Sequence, residues 1–323
     1  MRSRLGAAKT RMSTGDKRVL ITGASGFIGA ACLSRLQAAG YAIDAVTSRP
    51  VPARASAGVN WHQYDLLDPD QCAVAVAAAR PTHLLHLAWI ATPGEFWSNA
   101  KNLAWLSGAT ALFEAFYRLG GKRAVGVGTC AEYAWSTTPY REDGTAAAPV
   151  TIYGQCKRAA ALVLEAACSV HGGTAAWARL FFPYGPGEPE QRLLPYVIRA
   201  FLRREAASCT DGRQSRDFVF VDDVADALVA LLDGAATGTY NIGSGRAITL
   251  RDVVGCIAEK LDGTSLIRYG ARAAPAGDPP YVVADISKIM HATGWRPKVD
   301  IDHGIDASIT YWKARETAAK GTG

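Results

Sequence analysis

The sequence predicts an α/β fold, a doubly wound parallel sheet with a smaller C-terminal lobe. Three observations carry this. Short apolar runs alternate with helical stretches through the first 182 residues, the rhythm of βαβ units. A glycine cluster stands between the first strand and the first helix. After Pro183 the texture changes: residues 183–195 hold four prolines and two glycines, and the alternation breaks down.

The elements follow in order. Residues 18–22 (RVLIT) make a short apolar strand, and 27–39 (FIGAACLSRLQAA) an amphipathic helix closed by Gly40. Residues 42–47 are a second strand, the Ala-rich 70–79 a helix, and 83–88 (HLLHLA) a buried strand. A long helix over 98–119 stops at Gly120 and Gly121. Residues 124–128 (AVGVG) are strand, 153–170 helix and 175–181 strand. Short strand and helix signals continue to about 312, with no internal repeat.

The 323 residues are 49% hydrophobic and 20% charged, an ordinary globular composition. A net charge of +6 raises the question of nucleic acid. Six cationic residues in the first 18, against Asp16 alone, supply +5 of it and leave +1 for the other 305. No basic face and no nucleic-acid partner are therefore expected. The basic tail, residues 1–17, reads as disordered, or translation begins at Met12. A targeting peptide fits less well, since the tail lacks an apolar stretch of signal length. No run reaches transmembrane length, so no membrane partner is expected. Seven cysteines without a CxxC pair suit a reducing, cytoplasmic setting. His83 and His86 lie three apart on a strand, on opposite faces, so no metal site is expected.

TGASGFIG at 22–29 sets Gly23, Gly26 and Gly29 at GxxGxxG spacing. Gly23 permits a tight turn, Gly26 lets a pyrophosphate approach the backbone, and Gly29 lets helix and strand pack closely. The helix N-terminus offers unpaired N–H groups and the positive end of its dipole. A plain glycine-rich turn is the alternative, but the place between first strand and first helix favours a dinucleotide. An NAD site usually ends its second strand in Asp or Glu, to bind the ribose diol. Here that strand ends Val46-Thr47-Ser48-Arg49. Ser48 and Arg49 suit a 2′-phosphate, so NADP is the expected cofactor and NAD the alternative. The competing reading makes Arg49 a solvated loop residue before Pro50.

Tyr153 and Lys157 form a YxxxK pattern at the start of a helix, where i and i+4 share a face. A neighbouring ammonium and an oxidised nicotinamide bring a phenol's pKa down from about 10, which suits it to proton transfer. Thr129 ends a strand 24 residues earlier. A doubly wound sheet sets that strand end beside the Tyr153 helix. Thr129 is then a hydrogen-bond partner of the reacting oxygen, or otherwise a strand-end cap.

With these residues in view, the chain from about Arg18 to about Trp312 resembles the extended short-chain dehydrogenases/reductases, the NAD(P)-dependent sugar-nucleotide epimerase/dehydratase family. Its marks are TGASGFIG (22–29), Asp65-Leu66, HLA (86–88), GTCAEYA (128–134), YGQCK (153–157), YGPGE (184–188), RDFVFVDDVADAL (216–228) and YNIGSG (240–245). The resemblance implies a Rossmann-type dinucleotide-binding domain over 18–182, with 217–245 returning to it. Residues 183–216 and 246–314 are then the substrate-binding lobe. It implies Tyr153 as general acid/base, Lys157 as holder of the nicotinamide ribose, and Thr129 in the Ser/Thr position. The implied cofactor contacts are Gly23, Ser25, Gly26, Phe27, Ile28, Gly29, Ser48, Arg49, Asp65, Leu66, Leu87, Ala88, Tyr153, Lys157 and Phe181. A nucleotide-sugar substrate is implied at Thr92, Thr129, Arg192 and Arg216. Arg216 grips the diphosphate in this reading, or else forms a surface ion pair with Asp217 or Asp222. The resemblance also implies a homodimer through helices 98–119 and 153–170.

Three departures matter. The family's 4,6-dehydratases follow the catalytic Thr with Asp-Glu, and here Cys130-Ala131 follow, so 4,6-dehydration is not expected. Glu132 comes one place late, in a position usually apolar, and is a candidate for the substrate pocket. Phe181-Phe182 stand where the family has Phe-Asn, removing an amide contact to substrate. Trp105 replaces a common helix Asn. Trp89 and Trp97, around the loop 89–98, are pocket walls or packing residues. The expected activity is NAD(P)H-dependent reduction of a nucleotide-linked 4-keto-6-deoxy sugar, with Tyr153 as proton donor. The alternatives are an NAD-dependent 4-epimerase and a non-catalytic NAD(P)-binding regulator. Intact Thr129, Tyr153 and Lys157 argue against the last.

Overall fold

The structure, a computed structural model, describes residues 17–51 and 57–320. The expected basic tail lies outside the described residues apart from Lys17, which pairs with Asp233. The chain runs β1 (Arg18–Thr22), α1 (Phe27–Ala38), β2 (Ala42–Thr47), β3 (Val59–Gln63), α2 (Pro69–Ala79), β4 (His83–His86), α3 (Lys101–Arg118), β5 (Arg123–Thr129), α4 (Ile152–His171) and β6 (Thr174–Leu180). Then come β7 (Phe182–Tyr184), α5 (Leu193–Leu202), β8 (Ala207–Ser208), β9 (Ser215–Arg216), β10 (Phe218–Phe220), α6 (Val221–Asp233) and β11 (Gly238–Ile242). The rest is β12 (Ile248–Thr249), α7 (Leu250–Lys260), β13 (Ile267–Arg268), β14 (Tyr281–Val282), α8 (Ser287–Thr293) and α9 (Ile301–Lys320).

Seven parallel strands form the main sheet in the order β11-β6-β5-β4-β1-β2-β3. This is the doubly wound, Rossmann-type arrangement, and the order reverses between β1 and β4. Strand alternation splits the core. Val19 and Ile21 face α1 and α6 on one side, with Leu36 and Leu228. Leu20 and Leu84 face α2, α3 and α4 on the other, with Leu112, Phe113 and Leu164. Covered on both faces, β4 and β5 are buried throughout, which is why they read as continuous apolar runs.

β3 escaped the sequence reading. It is an edge strand, VNWHQ, with no fully buried residue. Its polar side chains pair inward: Asn60 Nδ2 and His62 Nε2 each lie 2.8 Å from Asp44 Oδ1 of β2. The strand expected over 83–88 ends at His86 because the N–H groups of Leu87 and Ala88 turn to Thr22 Oγ1, both at 3.1 Å. The helix expected from 98 starts at Lys101, whose N–H is taken by Asn99 Oδ1 at 2.9 Å.

α6 packs on α1, and β11 extends the main sheet beside β6. A separate core joins α5, α7 and α9 through Leu194, Phe201, Ile257, Ile305 and Trp312. Short pairs, β7 with β10, β9 with β12 and β14, and β8 with β13, form three small sheets separate from the main one. Among the described residues no helix is long and apolar enough to cross a membrane.

Candidate active site

A cleft of about 400 Å³ opens at the switch point, along the glycine turn. Gly23 adopts φ +73°, and a Cβ there would meet Ala88 N at 2.9 Å. At Gly29 a Cβ would lie 2.1 Å from Gly23 O and 2.7 Å from Ala24 Cα. No side chain caps the N-terminus of α1, so its first-turn N–H groups are left for a ligand in the cleft. Gly29→Ala must push α1 away from the turn. It is expected to cost roughly 1–3 kcal/mol of stability and to abolish dinucleotide binding, read by thermal unfolding and by NADPH fluorescence titration.

Gly23, Ser25, Gly26, Phe27, Ile28, Gly29, Ser48, Arg49, Leu66, Leu87, Ala88 and Arg192 all line this cleft. Four expected cofactor contacts, Asp65, Tyr153, Lys157 and Phe181, do not. Asp65 lies outside the wall: its Oδ1 takes Leu67 N–H at 3.0 Å and its N–H goes to Gln71 Oε1 at 2.8 Å. Phe181 points away into a cluster with Tyr133, Tyr140 and Val282, and Pro183 supplies the wall instead. Tyr64, Trp89 and Trp105 line the cleft without having been assigned to the cofactor from the sequence.

Lys157 reaches the cleft through Val127 and Trp89, which belong to its wall, and Thr129 and Tyr153 lie on the neighbouring β5 end and first turn of α4. Lys157 is buried. Its Nζ donates to Val127 O at 2.7 Å and sits 4.1 Å over the Trp89 ring. Burial lowers its pKa to about 7, against the pull of Glu132. Tyr153 lies beside Thr129 and packs edge-on against Phe96 and Trp97, ring centroids 4.8 and 5.7 Å away. The expected lowering of its pKa is not present in the free protein. Burial raises it above the ordinary range, while neighbouring Thr129 and Arg192 oppose that shift. His86 below is neutral, its pKa lowered by burial to about 3. Thr22 Oγ1 already accepts two N–H groups, so its own hydrogen points to His86 Nδ1 at 2.9 Å. His83 turns the other way, onto Tyr41.

The substrate-side candidates are placed unevenly. Thr92 is exposed at the loop start, its carbonyl taken by Glu95 and Phe96 N–H. Arg216 is buried, bonded to Ser215 O, Pro279 O and, at 2.6 Å, Asp278 Oδ1. The expected role is a grip on the substrate diphosphate; in the structure the guanidinium pairs with Asp278, and not with Asp217 or Asp222 as in the alternative reading. Asp217 instead accepts from Ser244, Gly245 and Ala284. Trp89 and Trp105 stack 6.1 Å apart as cleft wall, whereas Trp97 is 40% exposed beside Tyr153.

Glu132 is not in the substrate pocket. It is fully buried behind Thr129, where Arg179 Nε meets Oε2 at 2.8 Å and Trp177 Nε1 meets Oε1 at 2.9 Å. A buried carboxylate needs such partners. Asn102, also unassigned from the sequence, is buried under the loop 96–99. Its Oδ1 accepts from Trp89 Nε1, and its Nδ2 donates to Phe96 O and Asn99 O, each at 2.8 Å.

The model of the NAD dependent epimerase/dehydratase family matches residues 19–243, and the chain belongs to that family, among the extended short-chain dehydrogenase/reductase enzymes. It is 28% identical to the dTDP-L-rhamnose 4-epimerase of Burkholderia thailandensis, over 94% of this chain and 97% of that one. It is 26% identical to a dTDP-4-dehydro-6-deoxyglucose reductase of Escherichia coli, over 90% and 96%. The UDP-glucose 4-epimerase of Thermus thermophilus, solved in complex with NAD, superposes with a TM-score of 0.82 at 26% identity, covering 92% of this chain and 99% of the other.

Proposed function

We propose that the chain is an NAD(P)H-dependent reductase of a nucleotide-linked 4-keto-6-deoxy sugar, with NADPH as its preferred reductant. One observation carries the choice of reductant. Among the described residues the cleft wall holds no carboxylate, and its cationic side chains are Arg49 and Arg192. A ribose diol finds no acidic partner at the end of β2, whereas a 2′-phosphate finds Ser48 and Arg49. An exchangeable NADPH suits net reduction better than a retained NAD. The uncapped N-terminus of α1 and the glycines of the turn suit a dinucleotide pyrophosphate.

The bound dinucleotide supplies the hydride for the keto carbon. Tyr153 supplies the proton for the oxygen that becomes the alcohol. Burial keeps its phenol protonated at neutral pH, the form a reduction requires. Thr129 holds the same oxygen from the other side, and Lys157 holds the nicotinamide ribose. Cys130 and Ala131 offer no acid pair for dehydration. The reductase relative supports this reading, and the epimerase relatives mark its competitor.

The test is a panel of nucleotide-linked 4-keto-6-deoxyhexoses with NADPH or NADH, followed by nicotinamide absorbance. Stoichiometric NADPH consumption is expected. Product without net consumption would instead make the protein an epimerase. Arg49→Ala should weaken NADPH by about tenfold or more, the loss of one charge-assisted hydrogen bond, and leave NADH nearly unchanged. Equal weakening of both removes the NADPH preference. The reading includes a homodimer through α3 and α4, which pack together and expose Leu103 and Leu162. Sedimentation at two concentrations checks it.

A further inference from the structure

The two glycines of β5 leave room for one side chain of β6. A Cβ at Gly126 would meet Trp177 Cζ3 at 2.4 Å, and one at Gly128 would meet Trp177 Nε1 and Glu132 Oε1, each at 2.1 Å. The indole lies against this bare stretch of strand and donates its N–H to Glu132, which is 0% exposed. The same Oε1 accepts the backbone N–H of Thr129 at 2.9 Å. Arg179 closes the far side, its guanidinium 4.3 Å over the Tyr133 ring, and Tyr133 in turn donates to Asn241 Oδ1 at 2.8 Å. Buried ion pairs contribute little net stability compared with apolar residues of similar volume. An arrangement that also demands two glycines and a tryptophan calls for another explanation.

We propose that Glu132, held by Arg179 and Trp177, is a positioning residue for the reduction: it fixes Thr129 through its N–H, two residues along β5 from the Val127 carbonyl that holds Lys157. This rests on the roles given above to Thr129 and Lys157. Thr129 Oγ1 accepts from Ala131 N at 3.2 Å while its N–H binds Glu132, a reciprocal capping box around residues 130–132. The carboxylate therefore sets the turn that aims Thr129 at Tyr153. The titratable and charged groups around Lys157 and Tyr153 are His86 on β4, Cys130 and Glu132 in the turn, and Arg192 at the start of α5. Among them Glu132 is the anion that favours the Lys157 ammonium against burial. Arg179 pairs with it.

The test follows Lys157 itself, by NMR of the full chain with ¹³Cε-labelled lysine, its resonance assigned by loss in Lys157→Arg. Glu132→Gln removes the anion and leaves the Arg179 cation. The Lys157 midpoint should fall by about half a pH unit or more, and kcat should fall about tenfold or more with KM little changed. If that variant does not fold, Glu132→Gln combined with Arg179→Gln removes both charges, and a smaller drop of the midpoint is expected. An unchanged midpoint or an unchanged kcat in the folded variant overturns the proposal, as does a wild-type midpoint in the ordinary lysine range. The titration needs no substrate. Failure to reduce any 4-keto sugar would therefore count against the reductase reading alone.

Discussion

Tyr153→Phe is expected to lower kcat by about two to four orders of magnitude, the usual worth of a positioned proton donor. The phenylalanine ring keeps the edge contacts with Phe96 and Trp97, so the pocket wall should survive. What is lost is the hydroxyl beside Thr129 and, in the proposed reduction, the proton for the new alcohol. NADPH affinity, measured by fluorescence titration, should stay within about twofold, since the glycine turn is untouched. Steady-state rates near those of the wild type would show that another group protonates the product.

Arg179→Ala should produce the largest loss of stability, roughly 3–5 kcal/mol, because it strips a buried carboxylate of its counter-charge. Arg179 and Glu132 have side-chain exposures of 8% and 0%, so water cannot readily replace the guanidinium. The denaturant midpoint should fall sharply at neutral pH with little change of slope. Removing both charges, Glu132→Gln with Arg179→Gln, should cost less than Arg179→Ala alone. The reverse order would mean that packing over Tyr133, not charge, makes Arg179 necessary.

Much of the dinucleotide half was legible in the sequence, because strands buried on both faces write themselves as unbroken apolar runs. β3 was not, since an edge strand whose Asn60 and His62 bond sideways to Asp44 has no such run. The glycine turn, Thr129, Tyr153 and Lys157 carry local patterns tied to one chemistry. Asp65 and Phe181 carry no such pattern, and their side chains lie off the cleft wall, with Leu67 N–H and in the Tyr133 cluster. Arg216 meets a carboxylate 62 positions away, a pairing that no spacing announces. Glu132 signalled itself only as a charge in an apolar position. Trp177 and Arg179, its partners, lie on a strand whose pattern said no more than buried.

Asn102 gives the site a mechanical property. One amide clasps the backbone of the loop 96–99 with its nitrogen and the Trp89 indole with its oxygen. The roof over Tyr153 and the plate over Lys157 therefore move as one linkage: lifting the loop tugs the indole. The cover of Tyr153 and the cover of Lys157 are thus tied to each other through a single side chain.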